Sequence, residues 1–124
     1  MKYAIALLGL LLLTGCTQTS NTTQASNQTV LAGSVVEVDV IAKNWEFNPS
    51  TIRVKQGDTV QLHIESQDVK HGFRLPEFGV DEVLEPGVDV HVEFVADKKG
   101  TFPFSCSIPC GEGHGKMTGE LIVE

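Results

Sequence analysis

Apolar and polar residues alternate with a period of two along much of the chain from residue 35 onward. The alternation is clearest in four segments, which are 36–40, 60–64, 88–94 and 120–124. This pattern is typical of half-buried antiparallel strands, with one face on a core and the other in water. Shorter strands are expected at 51–55, 71–75 and 101–106. No window of helical length shows the helical period.

Turn residues separate these segments. Gly57-Asp58, Pro86-Gly87 and Lys99-Gly100 are placed where hairpins and loops would change direction. About 90 residues with seven or eight short strands form one small domain without room for a second core. The sequence therefore predicts an all-β fold, a sandwich or barrel, over residues 35–124.

The first 16 residues have the features of an export signal. Lys2 precedes an apolar run from Ala4 to Leu13, which is too short to cross a bilayer but suits a signal peptide. The ending Leu13-Thr14-Gly15-Cys16 resembles a bacterial lipobox. We therefore expect residues 1–15 to be removed and Cys16 to be lipidated. An uncleaved anchor and an ordinary secretory signal are the alternatives.

The segment after Cys16 is almost purely polar. Residues 17–29 are all Ser, Thr, Asn or Gln except Ala25. Such a stretch has little apolar surface to bury, so we expect 16–34 to be a lipidated cysteine followed by a disordered tether. Without the leader the chain has eight basic and sixteen acidic residues, a net charge of −8. This charge argues against nucleic acid and favours basic protein partners, although solubility alone explains it equally well.

Candidate metal ligands are concentrated near the C-terminus. Twelve residues read Cys106-Ser-Ile-Pro-Cys110-Gly-Glu-Gly-His114-Gly-Lys-Met117. Cys, His and Met together suit copper, whereas a tetrahedral zinc site ordinarily leaves Met out. One Cys, one His and one Met with a distant second His would indicate a mononuclear blue copper site. The extra thiol makes a second arrangement possible, in which two thiolates bridge two copper ions.

The strand before this loop predicts where the first thiol points. Phe102, Phe104 and Cys106 fall on one face, so Cys106 is expected on the apolar side. Glycines alternate through the loop that follows, and they give its backbone access to tight conformations. These glycines are Gly111, Gly113 and Gly115.

The ligand motif resembles the binuclear CuA domain of cytochrome c oxidase subunit II, and the likeness covers residues 36–124. It implies a cupredoxin fold, a Greek-key β-sandwich or barrel, and a centre of two copper ions. The segment from Asp68 to Phe73 resembles the family's segment with its first histidine, which makes His71 the distant ligand. His63 and His91 occupy outward strand positions and are not expected to bind this copper.

The resemblance also implies a role for each ligand. Cys106 and Cys110 would bridge both coppers, and His71 and His114 would each cap one. The remaining two ligands would be the thioether of Met117 and the backbone carbonyl of Ile108. Many family members have an acidic or polar residue where this chain has Ile108. Asp68 is either a partner of His71 or an exposed loop residue. For Trp45 we favour core packing over an electron-entry surface.

These features favour a one-electron carrier without a catalytic site of its own. We expect it to be lipid-anchored in the bacterial cell envelope, facing the periplasm or the exterior, with a basic c-type cytochrome as one possible partner. An electron-entry role in a terminal oxidase is the first alternative, which the lack of a transmembrane hairpin before the copper domain weakens. Nitrous oxide reductase also has a CuA domain, but we do not expect that activity, because its catalytic cluster needs a large His-rich domain that this sequence does not show. Copper delivery and a mononuclear blue site remain further alternatives.

Overall fold

A computed structural model describes residues 33–124, which form nine strands in two sheets. The strands are β1 Val35–Lys43, β2 Glu46–Asn48, β3 Thr51–Val54, β4 Thr59–Ser66, β5 His71–Leu75, β6 Val80–Leu84, β7 Asp89–Val95, β8 Gly100–Ser105 and β9 Thr118–Val123. The predictions of a signal peptide, a lipidated Cys16 and most of a tether lie outside the described residues. No helix within 33–124 is long and apolar enough to cross a membrane.

The first sheet has the order β2-β1-β4-β7 and the second the order β3-β9-β8-β5-β6. The all-β prediction is confirmed, but the alternation, which is typical of antiparallel strands, here also occurs in strands with a parallel neighbour. The pairs β1/β4 and β3/β9 are parallel. Alternation reports which face of a strand is buried and not the direction of its neighbour. Here the parallel partners are not consecutive in sequence, so the chain leaves the sheet between them.

Strands β2 and β6 were not predicted from the sequence. β2 has only three residues, too few to establish a period. In β6 only Val80 and Leu84 are buried, and the three residues between them are exposed. This strand lies at the edge of the second sheet and pairs with β5 alone, so its pattern departs from simple alternation.

Three phenylalanines from the two sheets pack against one another in the core. The rings of Phe47, Phe73 and Phe104 are buried, with centroids 4.9–5.5 Å apart. Phe47 comes from the first sheet, and the other two come from neighbouring strands of the second. A Cβ at Gly119 would lie 2.3 Å from the Phe104 ring, so β9 needs glycine there. The cluster therefore packs β2 of the first sheet against β5 and β8 of the second.

Candidate metal centre

The ligand loop connects β8 to β9 and is closed at its base. Cys106 comes directly after β8, and its side chain is buried like that of Phe104 on the same face. The Cys106 N–H donates to the Met117 carbonyl at 3.0 Å. This hydrogen bond holds the two ends of the loop together, so the thiol and thioether enter the site from adjacent backbone positions.

Within the loop, a reversal of the chain turns two further donors toward Cys110. Gly111 has a φ of 123°, a conformation that favours glycine. A 3₁₀ turn over His114–Lys116 follows, and the Met117 N–H donates to the His114 carbonyl at 3.2 Å. As a result the Cys110 Sγ lies 3.7 Å from His114 Nδ1 and 4.0 Å from Met117 Sδ.

His71 reaches the site from β5, which is the neighbour of β8 in the second sheet. Its side chain is fully buried, and its Nδ1 lies 3.9 Å from the Cys106 Sγ. The Gly72 N–H points at the same sulfur from 3.4 Å. A Cβ at Gly72 would lie 2.1 Å from the Ser107 Oγ, so only glycine lets β5 approach the ligand loop this closely.

The two thiols lie at the centre of the donor set. Their sulfurs are 3.5 Å apart, too far for a disulfide, whose S–S bond is about 2.05 Å. When two sulfurs bind the same metal ion through bonds of about 2.3 Å, they lie roughly 3.3–3.8 Å apart. The observed distance falls in this range, so the two thiols could share a metal ion. The carbonyl oxygen of Ile108 is 3.1 Å from Cys106 Sγ.

The donors divide between the two thiols. His71 and the Ile108 carbonyl lie beside Cys106, whereas His114 and Met117 lie beside Cys110. The donor atoms of His71, Cys106 and Cys110 are all within 4.8 Å of one another, and His114 is not part of that group. The arrangement places one imidazole beside each sulfur, as two neighbouring metal positions require.

Hydrogen bonds and burial adjust the charges around the thiols. Burial, followed by the adjacent Cys106 thiol, raises the pKa of Cys110 to about 11. Partial burial of Asp68 acts to raise its pKa, but hydrogen bonds from the Asn44 and Val69 N–H groups and from His71 outweigh it, and the pKa is lowered. Because its pKa is raised, the Cys110 thiol is protonated at neutral pH without a metal, and a cation that binds the sulfur must displace that proton.

The structure brings all six predicted ligands together, and Asp68 contacts one of them, His71. Its Oδ1 lies 2.7 Å from His71 Nε2, which answers the question left open by the sequence. His63 and His91 belong to a separate group of side chains on the outer face of the first sheet, at the outward strand positions that the sequence predicted. Gly72 was not singled out from the sequence, because its close approach depends on how β5 and β8 pair.

The core-packing interpretation of Trp45 is wrong. Its side chain is 38% exposed and lies on the outside of the ligand loop. The indole N–H donates to the Cys110 carbonyl at 3.1 Å, and a Cβ at Gly113 would lie 2.3 Å from the indole ring. The period-two pattern could not reveal this, since Trp45 precedes β2 in a turn. Trp45 covers the loop that contains Cys110 and His114.

The chain matches the family model for a cupredoxin-like domain over residues 4–123. It is 38% identical over 96 residues to cytochrome c oxidase subunit 2 of Thermostichus vulcanus, covering 72% of this chain and 29% of that protein. It is 33% identical over 102 residues to nitrous-oxide reductase of Stutzerimonas stutzeri, covering 79% of this chain and 16% of that protein. The chain thus spans less than a third of either relative.

Among solved structures, the fold is similar to the periplasmic domain of subunit II of cytochrome oxidase from Bradyrhizobium japonicum. The TM-score is 0.66 at 23% identity, with 72% of this chain and 83% of that domain covered. Together with the family match, this likeness confirms the cupredoxin-like fold that the sequence resemblance implied.

Proposed function

Since the chain belongs to the cupredoxin-like domain family, we propose that it is a copper protein that carries single electrons. The observation that carries this proposal is the pair of thiols 3.5 Å apart with an imidazole beside each. Thiolate, imidazole and thioether donors suit copper, and the two similar relatives named above are a subunit of an oxidase and a reductase.

We propose a binuclear centre of the CuA type with six ligands. Cys106 and Cys110 supply bridging thiolates, and His71 and His114 supply Nδ1. Met117 and the Ile108 carbonyl contribute the two weaker donors. A mononuclear blue site would use both imidazoles, the thioether and only one thiol, and it would leave the other thiol without a metal although the two sulfurs lie 3.5 Å apart.

The protein around these donors suits rapid electron transfer. Bound copper would supply an electron-accepting centre whose small charge is shared between metals and sulfurs. The chain restricts water there, because Cys106, His71 and Met117 are buried. It also fixes donor positions through the closed loop and through the hydrogen bond from His71 to Asp68. Few groups then need to move when the charge changes.

Two physiological roles fit this chemistry. The first is a carrier held near a membrane, with residues 1–15 as signal peptide, Cys16 as lipid attachment and 16–34 as tether. The second is electron entry into a terminal oxidase, which similarity to an oxidase subunit 2 favours. Both use the same domain over 35–124, and both place it outside the cytoplasm.

Copper analysis combined with electron paramagnetic resonance tests the centre. We expect two copper ions per chain and, in the oxidised form, one unpaired electron delocalised over two equivalent nuclei. One copper with the pattern of a single nucleus in fully loaded protein would contradict the proposal.

Labelling with a radioactive fatty acid tests the anchor independently. We expect the wild-type protein to incorporate label and a Cys16→Ala variant, exported behind another signal, to be released as a soluble domain. Several acyl chains anchor stably, whereas one binds only marginally. A wild-type protein that takes up no label would exclude lipidation and leave the copper proposal untouched.

A further inference from the structure

A second cluster of metal-binding side chains lies outside the thiol site. His63 on β4 and His91 on β7 are directly opposite each other in antiparallel register. Asp89 lies two residues before His91 on the same outward face. The three donor atoms of these residues are all within 4.8 Å of one another. Two imidazoles and a carboxylate therefore converge on the outer surface of the first sheet.

The spacing of these atoms suits a single metal ion. Asp89 Oδ2 lies 2.9 Å from His91 Nε2 and 3.6 Å from His63 Nδ1. Bonds of about 2.0–2.1 Å in a tetrahedral arrangement separate neighbouring donors by about 3.3 Å, between those two distances. The two imidazole rings have centroids 4.3 Å apart and an interplanar angle of 75°, so they do not stack face to face. Small rotations of the side chains would complete the geometry.

The charges on neighbouring strands favour a cation here. On β1, Asp39 pairs in register with His63, and Glu37 is the next outward residue on the same strand. On β4, Glu65 pairs with Asp89, and on β7, Glu93 is the next outward residue after His91. These register positions include no Lys or Arg. A face with this charge raises the local concentration of divalent cations.

We propose that His63, His91 and Asp89 form a surface site for a divalent transition-metal ion, either Cu²⁺ or Zn²⁺, with water in its remaining positions. Imidazole and carboxylate donors suit these ions, whereas the thiol centre selects copper through sulfur. The accessibility of the cluster supports exchange with solvent, since the side chains of His91 and Asp89 are 65% and 50% exposed. The site is chemically distinct from the thiol centre and does not depend on it.

The test uses the full chain after its thiol centre has been saturated with copper. Zn²⁺ is titrated by calorimetry in a buffer that does not bind metals, and Cu²⁺ is added in a parallel experiment followed by electron paramagnetic resonance. We expect one further Zn²⁺ per chain. In the Cu²⁺ experiment we expect a single-nucleus signal with splitting from two nitrogens. The visible absorption of the thiol centre reports that each protein is folded.

Matched variants separate ligation from general attraction. His91→Gln should weaken Zn²⁺ binding at least about 100-fold. The reason is that the loss of a residue that only supports a ligand already lowers metal affinity by roughly 10–100-fold. Asp89→Asn should weaken it at least about 10-fold on the same basis. Glu37→Gln makes the same charge change as Asp89→Asn on the same face but removes no ligand, so it should change affinity by less than about threefold.

Two results would overturn the proposal. One is the absence of saturable Zn²⁺ and Cu²⁺ binding beyond the thiol centre, which would leave the cluster as a set of surface hydrogen bonds. The other is an equal effect of Asp89→Asn and Glu37→Gln, which would indicate diffuse attraction of cations by the acidic face. Binding of only Zn²⁺ or only Cu²⁺ would support the site and identify its ion.

Discussion

Asp68 holds His71 by the ring nitrogen opposite the one that faces Cys106. Its Oδ1 lies 2.7 Å from Nε2, while Nδ1 is 3.9 Å from the sulfur. The same carboxylate accepts hydrogen bonds from the backbone N–H groups of Asn44 and Val69, each at 2.6 Å. Asp68 thereby connects the turn that contains Asn44 and Trp45 with the strand that presents His71. This contact fixes both the orientation of the ring and which nitrogen is free to bind a metal.

We expect Asp68→Asn to retain the fold but weaken the metal centre. The loss of a carboxylate partner from a ligating histidine typically reduces metal affinity by about 10–100-fold. Competition with a copper chelator measures this, and the reduction potential should shift as well. Asp97→Asn is the control, because it removes the same charge outside the site. Equal behaviour of the two variants would contradict a positioning role for Asp68.

Replacement of individual ligands should have unequal effects. Cys106→Ser or Cys110→Ser should abolish the binuclear centre, since a hydroxyl is a hard and weakly acidic substitute for a thiolate. Met117→Leu should retain both coppers and mainly shift the potential, because a thioether contributes weakly. Copper analysis and the visible spectrum measure the difference. A centre that survives either serine substitution unchanged would contradict bridging by both thiols.

Histidine variants test which imidazoles belong to the centre. His71→Ala should lose or impair one copper, because Nδ1 lies beside the Cys106 sulfur. His63→Ala should leave the spectrum of the thiol centre intact, since that residue lies on the outer face of the first sheet. Optical and electron paramagnetic resonance spectra of the copper-loaded variants measure which substitutions alter the thiol centre. An altered centre in His63→Ala beside a normal one in His71→Ala would reverse the assignment.

The sequence predicted most of the β structure because alternation directly records which side chains are buried. It also placed Cys106 inward, because Phe104 in β8 and Cys106 directly after it lie on the same face. The direction of neighbouring strands and the edge strand β6 could not be predicted, since both depend on which strands become neighbours.

The Cys, His and Met side chains proposed as ligands inside one loop could be picked out from the sequence, whereas the Ile108 carbonyl was expected only from the family resemblance. Contacts between distant segments could not be predicted from a local pattern. His71 was identified only through a family resemblance, and no local pattern would have chosen it over the other histidines. Trp45 was misplaced because its partner, the Cys110 carbonyl, is 65 residues away in sequence. The pairing of His63 with His91 likewise depends on the register of β4 and β7.

Gly113 should be essential for the packing of Trp45 on the loop. A Cβ at Gly113 would lie 2.3–2.6 Å from three indole atoms, whereas a Cβ at Gly115 meets nothing within 4 Å. Gly113→Ala should therefore reduce the free energy of unfolding by about 1–3 kcal/mol, as overpacking does. Gly115→Ala is the matched control and should change it little.

The double variant Gly113→Ala/Trp45→Ala isolates this contact. Its destabilisation should be smaller than the sum of the two single variants, because the indole that collides with the new methyl group is gone. Denaturant unfolding of all four proteins measures the coupling. Simple additivity would show that the indole and Gly113 do not restrict each other.

Electron exchange with a basic c-type cytochrome should slow as salt concentration rises, while the copper stays with the chain. All sixteen acidic residues of the sequence, whose net charge is −7, lie within the described domain. Opposite charges on two proteins steer their encounter over about 8–10 Å at ordinary ionic strength. Copper should not transfer, because five side chains and a carbonyl converge on the site and three of those side chains are buried. Stopped-flow mixing with reduced cytochrome, followed by metal analysis of both proteins, measures the two outcomes separately. Rates that are independent of salt would exclude charge steering. Copper on an acceptor protein, appearing as fast as electrons are exchanged, would favour delivery over electron transfer.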